Sequence, residues 1–176
     1  INDNTTVSHG TNSLRMRGDG TTIDASGETL YDFYIDGTTN TVTVQNTDVM
    51  VSRAVNIASG DALSISSGRT VSHTGAIFIL SGEISGAGTM RFTATSSGPG
   101  TTGTLNADVL YDASGNMGSG TIDARTYGQD VTVYSNYAVE ASTEATLAAG
   151  TYTINGNLYL NANNIGSVMA YGATGN

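Results

Sequence analysis

TLYDFYIDGTTNTVTVQNTDVMVSRAVNIASGDALSISSGRTVSHTGAIFILSGEISGAGTMRF, residues 29–92, is the stretch whose reading decides the fold. Short apolar alternations recur along it: Tyr31-Phe33-Ile35, Val42-Val44, Val49-Val51, Val55-Ile57, Leu63-Ile65, Ile77-Ile79 and Met90-Phe92. Each has a period of two, so one face of each segment is buried and the other is wet. Between them stand Asp36-Gly37, Ser59-Gly60, Ser67-Gly68, Thr74-Gly75, Ser81-Gly82 and Gly86-Ala87-Gly88. A strand, a sharp corner, then another strand is the pattern of a chain that coils into stacked rungs.

Working outward, the alternation begins at Leu14-Met16 and Ile23. It resumes after residue 103 with Leu105, Val109-Tyr111, Val131-Val133, Tyr152-Ile154 and Leu158-Leu160. Residues 1–12 read as a polar lead-in and residues 13–176 as one β domain. Within it, TATSSGPGTTG (93–103), which holds the only proline, reads as a long corner loop. The segment nearest to a helical pattern, AVEASTEATLAA (138–149), is weakened by Thr143, Thr146 and Gly150. Strand starts about 7 to 12 residues apart give three strands per rung of roughly 20 to 30 residues. The expected fold is all-β: a single-domain right-handed parallel β-helix, or β-solenoid, of about six rungs. The alternative is an antiparallel β-sandwich, which Asn155-Gly156 favours locally as a hairpin signal. The absence of Trp, with only three Phe, argues for narrow rungs filled by Val, Ile and Leu.

The chain of 176 residues is long enough for a sizeable core, and its 27 threonines and 23 glycines favour strands and tight turns. The net charge is −9, all six basic residues are arginine, and they are scattered. Without a basic stripe to release counterions, neither nucleic acid nor an anionic membrane surface is an expected partner. No apolar run approaches the ~20 residues needed to span a bilayer, so membrane insertion is not expected. Cysteine is absent, which excludes disulfides, thiolate metal sites and cysteine nucleophiles. A chain that opens at Ile1 reads as a processed mature protein or an excised fragment.

LYDFYIDGTTNTVTVQNTDVMVSRAVNIASGDALSISSGRTVSHTG (30–75) resembles the repeats of exported bacterial β-helix surface proteins, and ATLAAGTYTINGNLYLNANNIG (145–166) repeats the style. These proteins include the passenger stalks of autotransporters and haemagglutinin-like adhesins. The likeness is one of pattern and composition. It implies an extracellular or cell-surface location and a structural or adhesive role, and it carries no catalytic residues.

Several residue groups invite a chemical reading. Asp32 with Asp36, and Asp108 with Asp112, lie four apart on expected strands and could pair as general acid and base of a carbohydrate-active β-helix enzyme. Solvated rung edges are the plainer reading, since Asp36 precedes Gly37 in a corner. His9 and His73, the only histidines, lie in no catalytic or metal-binding frame. Gly18-Asp19-Gly20 with Asp24 is only a fragment of a Ca²⁺ loop. Arg17-Gly18-Asp19 spells an integrin-binding tripeptide, and Asn4-Thr5-Thr6 a glycosylation sequon; both arise easily by chance here. Thr41-x-Thr43 and Thr151-x-Thr153 are the pairs an ice-binding face would repeat on successive rungs.

No catalytic, cofactor or metal residue is therefore assigned, and no cofactor is expected. The expected function is that of a non-enzymatic extracellular structural protein, a subunit of a self-assembling surface filament or a segment of an adhesin stalk. Its partners would be identical subunits joined head to tail, with cell-surface glycans as a second class. A carbohydrate-active β-helix enzyme, or a carbohydrate- or ice-binding module, is the alternative. The ends of a solenoid motivate the first reading, because the terminal rungs leave backbone groups unpaired. Lysine, the usual guard of an open strand edge, is missing altogether.

Overall fold

The computed structural model describes residues 10–93, 103–113, 121–122, 126–135, 146–147 and 153–162. Every regular element among them is a strand. The first coil holds β1 (Ser13–Met16), β2 (Thr21–Ile23) and the start of β3 (Thr29–Ile35). The chain continues through β4 (Thr41–Val44), β5 (Val49–Ile57), β6 (Ala62–Ile65), β7 (Thr70–His73), β8 (Ile77–Leu80) and β9 (Glu83–Phe92). Then follow β10 (Thr104–Ala113), β11 (Thr121–Ile122), β12 (Thr126–Tyr127), β13 (Val131–Ser135), β14 (Thr146–Leu147), β15 (Thr153–Ile154) and β16 (Leu158–Ala162).

All pairings between these strands are parallel, which excludes the sandwich. Parallel neighbours need a long crossover. Here the crossover is the rest of the coil, so the chain is a parallel β-helix with three walls. On the first wall Leu14, Phe33, Val55 and Phe78 lie in one register column. On the second the column is Thr21, Val42, Leu63, Ile84, Leu105, Tyr127 and Ile154. On the third it is Leu30, Val51, His73, Phe92, Tyr111, Val133 and Leu160.

About four full three-walled turns are described, spanning residues 13–92, fewer than the six or so expected. The first wall's ladder ends at β8 among the described residues, while the other two walls continue through β10, β12, β13, β15 and β16. β11 and β14 pair with each other in a separate small sheet. The hairpin expected at Asn155-Gly156 is also corrected. β15 and β16 do not pair with one another but lie in register on β12 and β13, and the Asn155 N–H donates to the Tyr127 carbonyl at 2.9 Å. Asn-Gly there turns one wall into the next. Of the segment 138–149, Thr146–Leu147 is strand, and the rest lies outside the described residues. So do most of the lead-in 1–12, including the sequon at Asn4, and residues 94–102 of the expected corner loop.

The period-2 reading holds because inward positions fill the coil. Val42 and Val44, Leu63 and Ile65, Phe33 and Ile35, and Val55 and Ile57 are all fully buried. Each such side chain contributes about 1.5–3 kcal/mol on leaving water. Where the chain turns from wall to wall inside a long strand, the register slips, between Leu30 and Asp32 in β3 and between Asn106 and Asp108 in β10. These bulges bend the strand at a corner without ending it.

Two glycines show different reasons for the Gly-rich corners. Gly68 has φ +72° with open space around it, so its role is conformational. At Gly82 a Cβ would run into the carbonyl oxygens of Asp61 and Ala58 on the coil below. Gly68→Ala is therefore expected to cost about 1–2 kcal/mol through the left-handed backbone. Gly82→Ala should cost more, about 3 kcal/mol, because two packed backbones must separate. Urea titration of both variants checks the order; a neutral Gly82→Ala would show that the coils are not in backbone contact there.

Candidate functional site

The carboxylates singled out in the sequence are placed by the coil, and each is used to join one coil to the next. Asp32 sits at the bulge of β3, 1% exposed. Arg53, one coil later on β5, grips it with two guanidinium nitrogens, Nε at 2.6 Å and Nη2, and Ser13 of the preceding coil donates its hydroxyl at 2.8 Å. Asp36, just past β3, is held from the preceding coil by Arg17, whose Nε lies at 3.0 Å, and by Arg15. Asp112 of β10 receives both Nε (2.9 Å) and Nη2 of Arg91 from the preceding coil. Asp108 accepts the backbone N–H of Asp130 at 3.3 Å. Asp32 is thus bonded from both neighbouring coils, Asp36 and Asp112 from the preceding one and Asp108 from the following one.

The electrostatics point the same way. The hydrogen bonds from Arg53 hold the Asp32 carboxyl below the usual carboxylate range. Those from Arg17 do the same for Asp36. A general acid working near neutral pH needs the opposite shift. Arg53 and Arg17 are in turn raised by their aspartates. Asp24 is lowered chiefly by the Thr47 hydroxyl, again one coil away.

The described arginines follow one rule. Arg15, Arg17, Arg53, Arg69 and Arg91 all lie within ion-pair distance of an aspartate of an adjacent coil. Arg69 is the loosest, with Nη1 at 3.8 Å from Asp48 and a firmer bond at 3.1 Å to the Asn46 carbonyl. Arg15 and Arg53 also lie over the rings of Tyr34 and Tyr31, 4.5 and 4.8 Å from the centroids.

A second set of aspartates, which sequence reasoning missed, caps backbone N–H groups across the coils. Asp19 accepts from Thr41 (3.0 Å), Asp48 from Thr70 (2.9 Å) and Asp130 from Asn157 (2.7 Å). Asp61, buried at 1% exposure, accepts from both Gly37 and Asn40 at 2.9 Å. No one sequence spacing marks this set: Asp19 caps a later coil, whereas Asp61 caps an earlier one.

The remaining candidates find structural uses. In Arg17-Gly18-Asp19, the guanidinium is held by Asp36 and the carboxylate by the Thr41 N–H. Thr41 and Thr43 stand at outward positions on the second wall. The next levels present Ala62 with Ser64, Glu83 with Ser85 and Thr104 with Asn106, so the Thr-x-Thr pair does not repeat in register. Thr153 lies on β15, and Thr151 lies outside the described residues. Among the described residues no cluster of His, Asp and Glu could hold a metal ion, and no helix is long and apolar enough to cross a membrane. His9 lies outside the described residues. His73 is completely buried on the third wall, with the Phe78 ring edge-on at 5.2 Å and that of Phe92 at 6.4 Å.

The Asp32 carboxyl is lowered on folding, so its staple is at full strength above the ordinary value near 4 and fades as pH falls through the folded value. Asp32→Asn and Arg53→Ala should therefore each lower the melting temperature by several °C at pH 7, with Arg69→Ala lowering it much less. The gap between the native chain and Asp32→Asn should close as pH is brought below 4. A gap that stays constant down to the lowest pH at which the chain folds would show that the charge of Asp32 is not what stabilises the corner.

No family model, no curated protein and no solved structure matches this chain.

Proposed function

We propose that this chain is an extracellular structural protein, a β-solenoid subunit of a self-assembling surface filament or a segment of an adhesin stalk. The observation that carries the reading is where the charged groups are spent. Each described arginine is held by an aspartate of a neighbouring coil, so these side chains strengthen stacking along the axis. An enzyme on this scaffold would aim such groups outward at a substrate, with at least one carboxyl raised. The resemblance of residues 30–75 to the stalk repeats of exported adhesins supports the same reading, as does a surface chemistry of Thr, Ser and Gly with no lysine.

Assembly partners follow from the backbone. Among the described residues β1 pairs only with β3, and β2 only with β4, so the outer edge of each has no described neighbour. An edge of this kind is completed by another strand running the same way. A second copy stacked on the coil axis supplies one, and the contact is heterologous, so it grows by repetition. The charge of −9 opposes the approach, but that repulsion is screened beyond ~8 Å at physiological salt. Each interchain backbone hydrogen bond then contributes about 1 kcal/mol net.

End-to-end association is expected to strengthen with salt. It should weaken in Thr22→Lys, which places a solvated cation on the exposed edge strand β2. Light scattering across salt and protein concentration, with electron microscopy of the same samples, measures both. A species that stays monomeric at high concentration and high salt, with no fibres in the microscope, would refute the filament form of the proposal and leave the stalk-segment form.

A further inference from the structure

Among the described residues the third wall carries one imidazole at its inward positions. His73 occupies the column that also holds Leu30, Val51, Phe92 and Tyr111, and it is 0% exposed. Its Nε2 lies 3.3 Å from the backbone carbonyl of Arg53, on the coil below. Phe78 and Phe92 meet the ring edge-on, and Phe92 stacks on Tyr111 at 5.3 Å. Its own carbonyl accepts the Thr93 N–H at 2.9 Å. The imidazole thus stands where β5, β7, β8 and β9 meet, inside the stack.

We infer that His73 is an acid-sensitive pin of this stack: a proton taken up from solvent by its imidazole in the mildly acidic range loosens the corner where β7, β8 and β9 meet.

The charged side chains on the strands around that corner are few, and both arginines among them are paired. β5 brings Arg53, whose guanidinium is held by Asp32 of β3. β8, reading IFIL, brings no ionisable side chain, and β7 brings none besides His73. β9 brings Arg91, held by Asp112 of β10, and Glu83 at its first residue. Burial lowers the His73 pKa from its ordinary value, and the backbone carbonyls of Arg53 and Ile77 pull it partly back. A lowered histidine is neutral when folded, so its contribution is complete above about pH 6.5 and is lost as pH falls from there toward the folded value. The unfolded chain takes the proton first. The window is clean, because cysteine is absent and His9 is the only other imidazole.

The test uses the full chain of 176 residues. Its folding equilibrium constant, from urea titrations, should fall by up to about tenfold per pH unit between pH 6.5 and 5, the limit for one proton. The slope should vanish in His73→Phe, whatever that variant's absolute stability, and persist in His9→Gln. A flat native profile, or one slope shared by all three proteins, would overturn the inference. Should His73→Phe fail to fold, two measurements on the unaltered chain decide. Hydrogen–deuterium exchange at the imidazole carbon reads the ring's own titration, and a His73 midpoint at the ordinary value would overturn the inference. Amide exchange, corrected for its intrinsic pH dependence, should accelerate in β7, β8 and β9 at pH 5 ahead of β2 and β4; a uniform change would overturn it too.

Discussion

A backbone N–H enclosed between two coils has to find a carbonyl, and in this chain it finds one about 21 residues away. That requirement governs the rest of the molecule. Thr21, Val42, Leu63, Ile84 and Leu105 succeed one another at intervals of 21 residues on the second wall, so the coil returns to the same register each time. Once the return length is set, inward positions stack on inward positions, so Val42 meets Leu63 and Val44 meets Ile65 above it. Where the return length differs, as between Leu30 and Asp32, the difference is taken up by a bulge at a corner.

The same constraint explains the charges. A buried carboxylate needs donors close by, and Asp32 and Asp61 find them where the reach from one coil to the next is short. Strands in a sheet lie about 4.8 Å apart, and an arginine spans that distance with nitrogens to spare for a two-point grip. Arg53 makes it on both oxygens of Asp32, while Arg91 puts two nitrogens on one oxygen of Asp112. A lysine, a point charge with a large hydration shell, would make one bond and leave an oxygen of a buried carboxylate wanting. Arginine as the sole basic residue type fits this use.

His73 puts an imidazole among the inward positions of the third wall. Its ring fills the column between Val51 and Phe92, and its Nε2 meets the Arg53 carbonyl. Histidine brings in addition a proton equilibrium, held away from its ordinary value by the same burial that makes the coil stable. Packing and titration are coupled at this residue because burial disfavours the charged ring.

The alternation of residues 29–92 and their glycine corners were enough to read a coiled, all-β chain, because side-chain alternation and sharp turns are local properties. The inward position of His73 was also readable, two residues after Val71 on a period-2 strand. Which aspartate meets which arginine was not legible, since the partners lie 19 or 21 residues apart and the register slips at bulges that no local pattern announces. Asp32 and Asp36 looked like a pair by spacing, yet Asp32 is bonded from both neighbouring coils and Asp36 from the preceding one. Asn155-Gly156 looked like a hairpin, yet its flanking strands found parallel partners on the preceding coil. The residues themselves determined strand, corner and inward face; the return length of the coil decided the partners, because a side chain in a solenoid meets what stands one turn away and not what stands beside it in the sequence.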